Sequence, residues 1–136
     1  MKKGLSNKGF ALPELLLAVA ILAFALSGLL LLFINCAFLN EANRNLSIAS
    51  SHTQFVMEDI REAASTGFSS LKANINAGNW DWNSTAINTH GLTALTNEAI
   101  DAQASGTEPL DVIVTVTWKD RSGKDRSIAI ETLIGP

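Results

Sequence analysis

The chain has 136 residues and carries ten Lys or Arg against thirteen Asp or Glu, a formal net charge of −3 at pH 7. Three of the basic residues lie within residues 1–9, so the remainder has seven basic and thirteen acidic residues, a net charge of −6. Phosphate binding needs a concentrated basic surface, so this balance argues against a nucleic-acid-binding role. The single cysteine, Cys36, excludes an intrachain disulfide.

The N-terminal third combines a basic leader with a long apolar segment. Residues 1–9 contain three lysines and no acid, and no charged residue occurs from Leu15 to Asn40. A membrane-spanning helix needs roughly 20 apolar residues, and positive flanks stay cytoplasmic. We therefore expect one span with a cytoplasmic N-terminus. A cleaved secretory signal would place its small residue after the apolar region, whereas Gly9 precedes it.

One carboxylate, Glu14, lies at the start of the apolar segment. An ionised group at the edge of a bilayer is costly unless it is hydrated or paired. Two interpretations stay open: Glu14 remains hydrated among the lipid headgroups, or it pairs with a positive charge. A cut after Gly9 would give Phe10 a cationic α-amine, which could pair with Glu14 of the same chain or of a neighbour.

The N-terminal segment has the pattern Lys8-Gly9, then Phe10, then Glu14 at the fifth position after the cut, and then a long apolar helix. This pattern resembles the type IV prepilin family, which includes the pseudopilins of type II secretion. The resemblance implies a prepilin peptidase that cleaves after Gly9 and N-methylates Phe10. It also implies that Glu14 pairs with the new N-terminus of an adjacent subunit during assembly. Ala11 departs from the threonine that is frequent in the family.

Apolar residues continue beyond the membrane segment at spacings of three and four, which predicts one helix from Leu12 to about Ala64. We expect Gly67 to end this helix. A coiled coil is an alternative to packing on a sheet. The predicted stripe consists of Leu39, Ala42, Leu46, Ala49, Thr53, Val56, Ile60 and Ala63.

The middle of the chain has weaker patterns. Leu92, Leu95 and Ala99 permit one short helix, and the small polar residues from Gln103 to Pro109 predict a loop. Trp80 and Trp82 are interpreted as anchors of a small core, and stacking on a sugar or a partner is the alternative.

The spacing of Asn79, Asp81 and Asn83 weakly resembles a calcium loop, but the later glycine and the bidentate acid are missing. We therefore expect no metal site and no cofactor.

The C-terminal stretch is rich in β-branched residues and has a period of two. Val112, Val114, Val116 and Trp118 alternate with Ile113, Thr115 and Thr117, and Ile128, Ile130 and Thr132 alternate with Ala129, Glu131 and Leu133. The polar segment Lys119–Asp125 contains one glycine, so the unit reads as an antiparallel hairpin whose valine face packs on the helix stripe. The fold class is therefore α+β, a long N-terminal helix on a small antiparallel sheet, which is also pilin-like.

A second resemblance, to the last hairpin of PilV-like minor pilins and of the matching minor pseudopilin, lies in this stretch. The segments that carry it are Val114–Asp120, Arg126–Ile128 and Glu131–Ile134, with Met57–Arg61 near the helix end.

No enzyme is indicated. His52 is expected on the polar side of the helix and His90 in a loop, without a second ligand at metal spacing. Cys36 lies in the membrane segment, and no nucleophile motif frames a serine.

We expect a leader at 1–9, a transmembrane and assembly half of the helix at 10–39, and a periplasmic or extracellular pilin-like domain at 40–136. The expected function is a structural subunit of a type IV pilus-like filament, a minor pilin that helps to assemble or prime it. The alternatives are a minor pseudopilin of type II secretion, a major pilin, and a membrane-tethered binding module that never polymerises. The resemblance implies four partners: the prepilin peptidase, other pilins, an inner-membrane assembly platform and membrane lipid. The implied location is the bacterial inner membrane, then a pilus or periplasmic pseudopilus.

Overall fold

The computed structural model describes residues 12–136. Its elements in chain order are α1 (Leu12–Asn76), β1 (Trp82–Asn83), α2 (Ser84–Thr89), β2 (Ala99–Gly106), β3 (Leu110–Lys119) and β4 (Asp125–Ile134). The chain divides into two compact units, Met1–Asn40 and Glu41–Pro136. The fold is α+β, as the sequence predicts.

The second unit contains the core, in which one face of α1 packs on one face of the sheet. Ala49, Thr53, Val56 and Ile60 of the predicted stripe are buried. They share the core with alternate residues of β3, namely Val112, Val114, Val116 and Trp118. Residues 39, 42 and 46 of the stripe are exposed, so the packed part of the helix begins near Ala49.

Gly67 interrupts α1, as the sequence predicts, but it is not the last residue of the element. The backbone is non-helical at Gly67, with φ −166° and ψ 63°, and a second helical stretch continues to Asn76. Leu71 and Ile75 are buried and Phe68 packs against the core, so the apolar spacing persists beyond the glycine. Burial of these side chains outweighs the low helix propensity of one glycine.

The sheet is antiparallel with the order β1-β2-β3-β4. Its longest ladder joins β3 to β4 over ten residues, from Leu110 opposite Ile134 to Lys119 opposite Asp125. The predicted C-terminal hairpin is confirmed, and its valine face is the buried one.

The predictions for the middle of the chain are wrong in two places. The short helix is Ser84–Thr89 rather than a segment around Leu92, because Asn83 caps it by accepting hydrogen bonds from the N–H groups of Thr85 and Ala86. The predicted loop Gln103–Pro109 is wrong in its first part, because residues up to Gly106 form the second half of β2, in which small residues alternate between buried and exposed. Residues 107–109 connect β2 to β3. Small side chains give a weak hydropathy signal, which hides the period of two.

Candidate functional site

The described part of the first unit, residues 12–40, is one apolar helical segment with a single charged residue. Every residue from Leu12 to Asn40 is exposed, and Glu14 is the only Asp, Glu, Lys or Arg among them. The helix is long and apolar enough to cross a membrane, and none of its most apolar window is buried inside the protein. Such a surface is unfavourable in water and suits lipid or the apolar helices of other chains.

Glu14 lies in the first turn of α1. Its neighbours Leu12 and Leu15 are exposed, and among residues 12–136 no side chain forms a hydrogen bond or ion pair with its carboxylate. An acid in the first turn interacts favourably with the helix dipole. The predicted processing residues Gly9 and Phe10 lie outside the described residues.

One polar side chain of the apolar segment, Ser27, is bonded within the helix. The Ser27 hydroxyl donates to the carbonyl of Ala23 at 2.8 Å, which satisfies its hydrogen bonding without a second chain. The helix continues through Gly28, where a Cβ would meet no described atom beyond the adjacent residues and the backbone of the helix itself. Cys36 is exposed on this segment.

A buried polar pair in the second unit was missed by the sequence reasoning. His52 is buried rather than on the polar side of the helix, and its Nδ1 lies 2.7 Å from Oε1 of Glu98. The other oxygen of Glu98 accepts the N–H of Leu95 at 2.6 Å, and its carbonyl accepts the hydroxyl of Ser84 at 2.9 Å. His52 lies three residues after Ala49 and four before Val56, so its spacing alone could have placed it on the buried stripe.

The two tryptophans of the middle segment are core anchors, which confirms their interpretation. Trp80 is buried and its indole N–H donates to Oδ2 of Asp59 at 2.6 Å. Trp82 is buried and stacks on His90, with ring centroids 4.0 Å apart. Trp82 also meets Phe55 in a tilted arrangement at 6.1 Å. These contacts tie the segment after α1 to the core.

Two residues of the weak calcium-loop pattern, Asp81 and Asn83, have structural roles. Asn83 caps α2, and Oδ1 of Asp81 accepts the N–H of Ala102 at 3.1 Å. Within residues 12–136 no group of three His, Cys, Asp or Glu side chains is placed to hold a metal ion.

The turn between β3 and β4 is organised by Asp120. One carboxylate oxygen accepts the hydroxyl and N–H of Ser122 and the N–H of Lys124, while the other accepts Nε of Arg126 at 3.0 Å. The Ser122 hydroxyl, followed by the remaining donors, lowers the pKa of Asp120 to about 2.

No protein-family model matches this chain, and neither a curated protein nor a solved structure matches it.

Proposed function

We propose that this chain is a structural subunit of a type IV pilus-like filament, and specifically a minor pilin that helps to assemble or prime it. The observation that carries the proposal is the segment 12–40, an apolar helical segment whose residues are all exposed, with one carboxylate in its first turn. The motif around Gly9 and Phe10 supplies the resemblance to prepilins, and the α+β fold of the second unit is consistent with it.

The carboxylate supports an assembly role over simple anchoring. An anchor needs only apolar length, and a charge in the membrane segment makes insertion less favourable. A subunit that leaves the bilayer to join a bundle of apolar helices has a use for that charge. Glu14 then pairs with the α-amine that cleavage after Gly9 creates on Phe10 of a neighbour.

A minor subunit is favoured over a major one by two features. The chain has a single cysteine, so the disulfide-closed loop of many major pilins cannot form. The β3–β4 hairpin also resembles that of PilV-like minor pilins. The proposed location is the bacterial inner membrane with residues 1–9 cytoplasmic and residues 40–136 on the far side, followed by transfer to the filament.

Mass spectrometry of the chain from membranes that contain a prepilin peptidase tests the proposal. We expect loss of residues 1–9 and a mature N-terminus at methylated Phe10. A matched strain without the peptidase should retain Met1. A chain that keeps residues 1–9 in the presence of the active peptidase would contradict the proposal and favour a tethered module that does not polymerise.

A further inference from the structure

The two edges of the sheet differ in how their backbone groups are satisfied. β1 covers β2 only at Ala99 and Ile100. Beyond them the N–H of Ala102 donates to the carboxylate of Asp81. Ala104 donates to Oδ1 of Asn76 at 2.9 Å, and Nδ2 of Asn76 donates back to the Ala104 carbonyl at 3.0 Å. The Asn76 amide thus presents the same donor and acceptor pair as a neighbouring strand, so side chains close this edge.

The opposite edge, formed by β4, is open. All ten residues of β4 pair in unbroken register with β3, and among residues 12–136 no backbone group bonds to the outer side of β4. In an antiparallel ladder alternate residues direct their N–H and C=O outward. Natural edges are commonly blocked by proline, charged side chains or a bulge. β4 has no proline and no bulge. Its charged residues are Asp125, Arg126 and Glu131, and Ser127–Ile130 between them carries no charge.

A groove of mixed lining runs beside this open edge. It lies between α1 and β4 and has a volume of about 490 Å³. Its apolar lining residues are Leu46 and Ile128, and the others are polar, namely Asn43, Ser47, Ser50, Ser51 and Gln54. Leu46 is 46% exposed, and Ile128 and Ile130 are only partly buried. The side chains of an added strand that point toward α1 would cover these residues.

Basic side chains flank the groove. Arg126 lies near one end of β4 with its side chain 59% exposed, and Arg61 reaches the other end, where its guanidinium lies 3.5 Å from the Thr132 hydroxyl and its side chain is 52% exposed. Asp120 and Glu58 each contact one of these arginines, yet both guanidinium groups stay accessible. The face of the edge toward α1 therefore presents Arg126, Ile128 and Ile130 at alternate residues of β4, and then Arg61 of α1 beside Thr132.

We propose that the outer edge of β4 binds an extended segment of a partner protein as a fifth strand. The hydrogen-bonding row selects an extended backbone, and the pockets beside it select alternate side chains. Directly opposed residues on one face interact, so the positions of the partner that face α1 should run acidic, apolar, apolar, acidic. In the antiparallel register that sets Ile128 opposite Ile130 of a second copy, Arg126 of each copy would lie beside Arg61 of the other, so like charges disfavour a second copy in that register. The inference goes beyond the filament role and holds whether or not the chain polymerises.

The full-length chain in phospholipid nanodiscs provides the test. The probe is a fluorescent synthetic peptide, Thr-Asp-Thr-Ile-Thr-Val-Thr-Asp-Thr, and the control peptide has lysine in place of both aspartates. We expect saturable binding by fluorescence anisotropy, at least tenfold weaker binding of the lysine peptide, and slower deuterium exchange in residues 125–134. R61A and R126A should each reduce the preference for the aspartate peptide.

Backbone methylation separates strand addition from simple adhesion. One peptide is N-methylated at the alternate residues that face β4 and a second at the other residues. We expect methylation of the residues that face β4 to abolish binding, because their N–H groups would donate to the strand, and methylation of the other residues to preserve it. Equal binding by both sets, or no binding by the parent peptide, would overturn the proposal. Disulfide crosslinking of A129C to itself between copies, in a C36S background without peptide, would assign the edge to a second copy and also overturn it.

Discussion

Nδ1 of His52 lies 2.7 Å from Oε1 of Glu98, and both side chains are buried although 46 residues separate them in the chain. The pair joins α1 to the segment between α2 and β2. Because Glu98 also accepts the N–H of Leu95, one carboxylate fixes the helix and the loop at once. A polar contact thereby sets the path of a segment that has few large apolar residues.

Replacing His52 with alanine should lower the free energy of unfolding by about 3–5 kcal/mol, because the Glu98 carboxylate would remain buried without its partner. Glu62, which is exposed on the same helix, provides the control, and E62A should change the free energy by less than about 0.5 kcal/mol. Urea denaturation gives both values. A double replacement, H52L with E98L, should recover part of the loss, and recovery of none would point to another function of the pair.

Residues 40–136 should fold without the apolar segment, because the packed face of α1 and the sheet bury each other. In this fragment W118A should cost about 3–5 kcal/mol, since the ring is 5% exposed and its removal leaves a cavity. Leu133 is 67% exposed, and L133A is the matched control, with little expected change. A midpoint for W118A equal to that of the parent fragment would show that the indole contributes no packing energy.

The long-range features of the fold that could be predicted are those with a strong period. The valines of β3 alternate regularly, and the stripe from Ala49 to Ile60 repeats at helical spacing. The sequence does not identify the partner of a buried polar residue, so Glu98 could not be found. The small residues of β2 gave no contrast in hydropathy, and Asn83 was not recognised as a helix cap because no apolar period follows it.

One half of the candidate site, Glu14, could be predicted from the sequence, whereas its proposed partner lies on another chain. Glu14 stands out in the sequence because it interrupts an uncharged stretch, and the structure places it in the first turn of α1. Its proposed partner, the amine of Phe10 on another chain, requires cleavage and a second molecule. A single chain contains neither, so the pairing stays a prediction.

Acid should destabilise the β3–β4 turn through Asp120. The pKa of this carboxyl lies at about 2, below its ordinary value of 3.8, chiefly because the Ser122 hydroxyl donates to it. A lowered pKa in the folded state means that the contribution is fully present above about pH 4 and is lost as pH falls toward 2. D120N should therefore remove part of the pH dependence of unfolding between pH 4 and pH 2.

D125N offers the matched control for Asp120. Asp125 lies at the end of the same turn, but its side chain is 81% exposed and bonds only Lys119 among the described residues. Thermal unfolding at a series of pH values should show a clear change of slope for D120N and a smaller one for D125N. Identical slopes for the parent chain and D120N would contradict the assigned role of the carboxylate.

Glu14 should be dispensable for insertion and required for assembly. Membrane insertion depends on apolar length, so E14A should still insert and should still be cleaved after Gly9. When subunits pack in an apolar bundle, the amine of Phe10 on a neighbour would be left buried without a partner, at a cost of about 3–5 kcal/mol. We expect processed E14A to accumulate in the membrane and to decline in sheared filaments, as measured by immunoblotting. E14D, which keeps the charge, should retain part of the assembly.

A position at the very tip of the filament would change this outcome, because a tip subunit has no subunit ahead of it to engage. Normal assembly of E14A would then have two explanations: either the pairing is wrong, or this chain occupies the tip. Crosslinking E14C, in a C36S background, to a partner pilin with cysteine at its own mature N-terminal residue separates them. An interior subunit should give the disulfide-linked pair and a tip subunit should not. A crosslinked pair together with normal assembly of E14A would show that the two groups are adjacent but that their pairing contributes nothing to assembly.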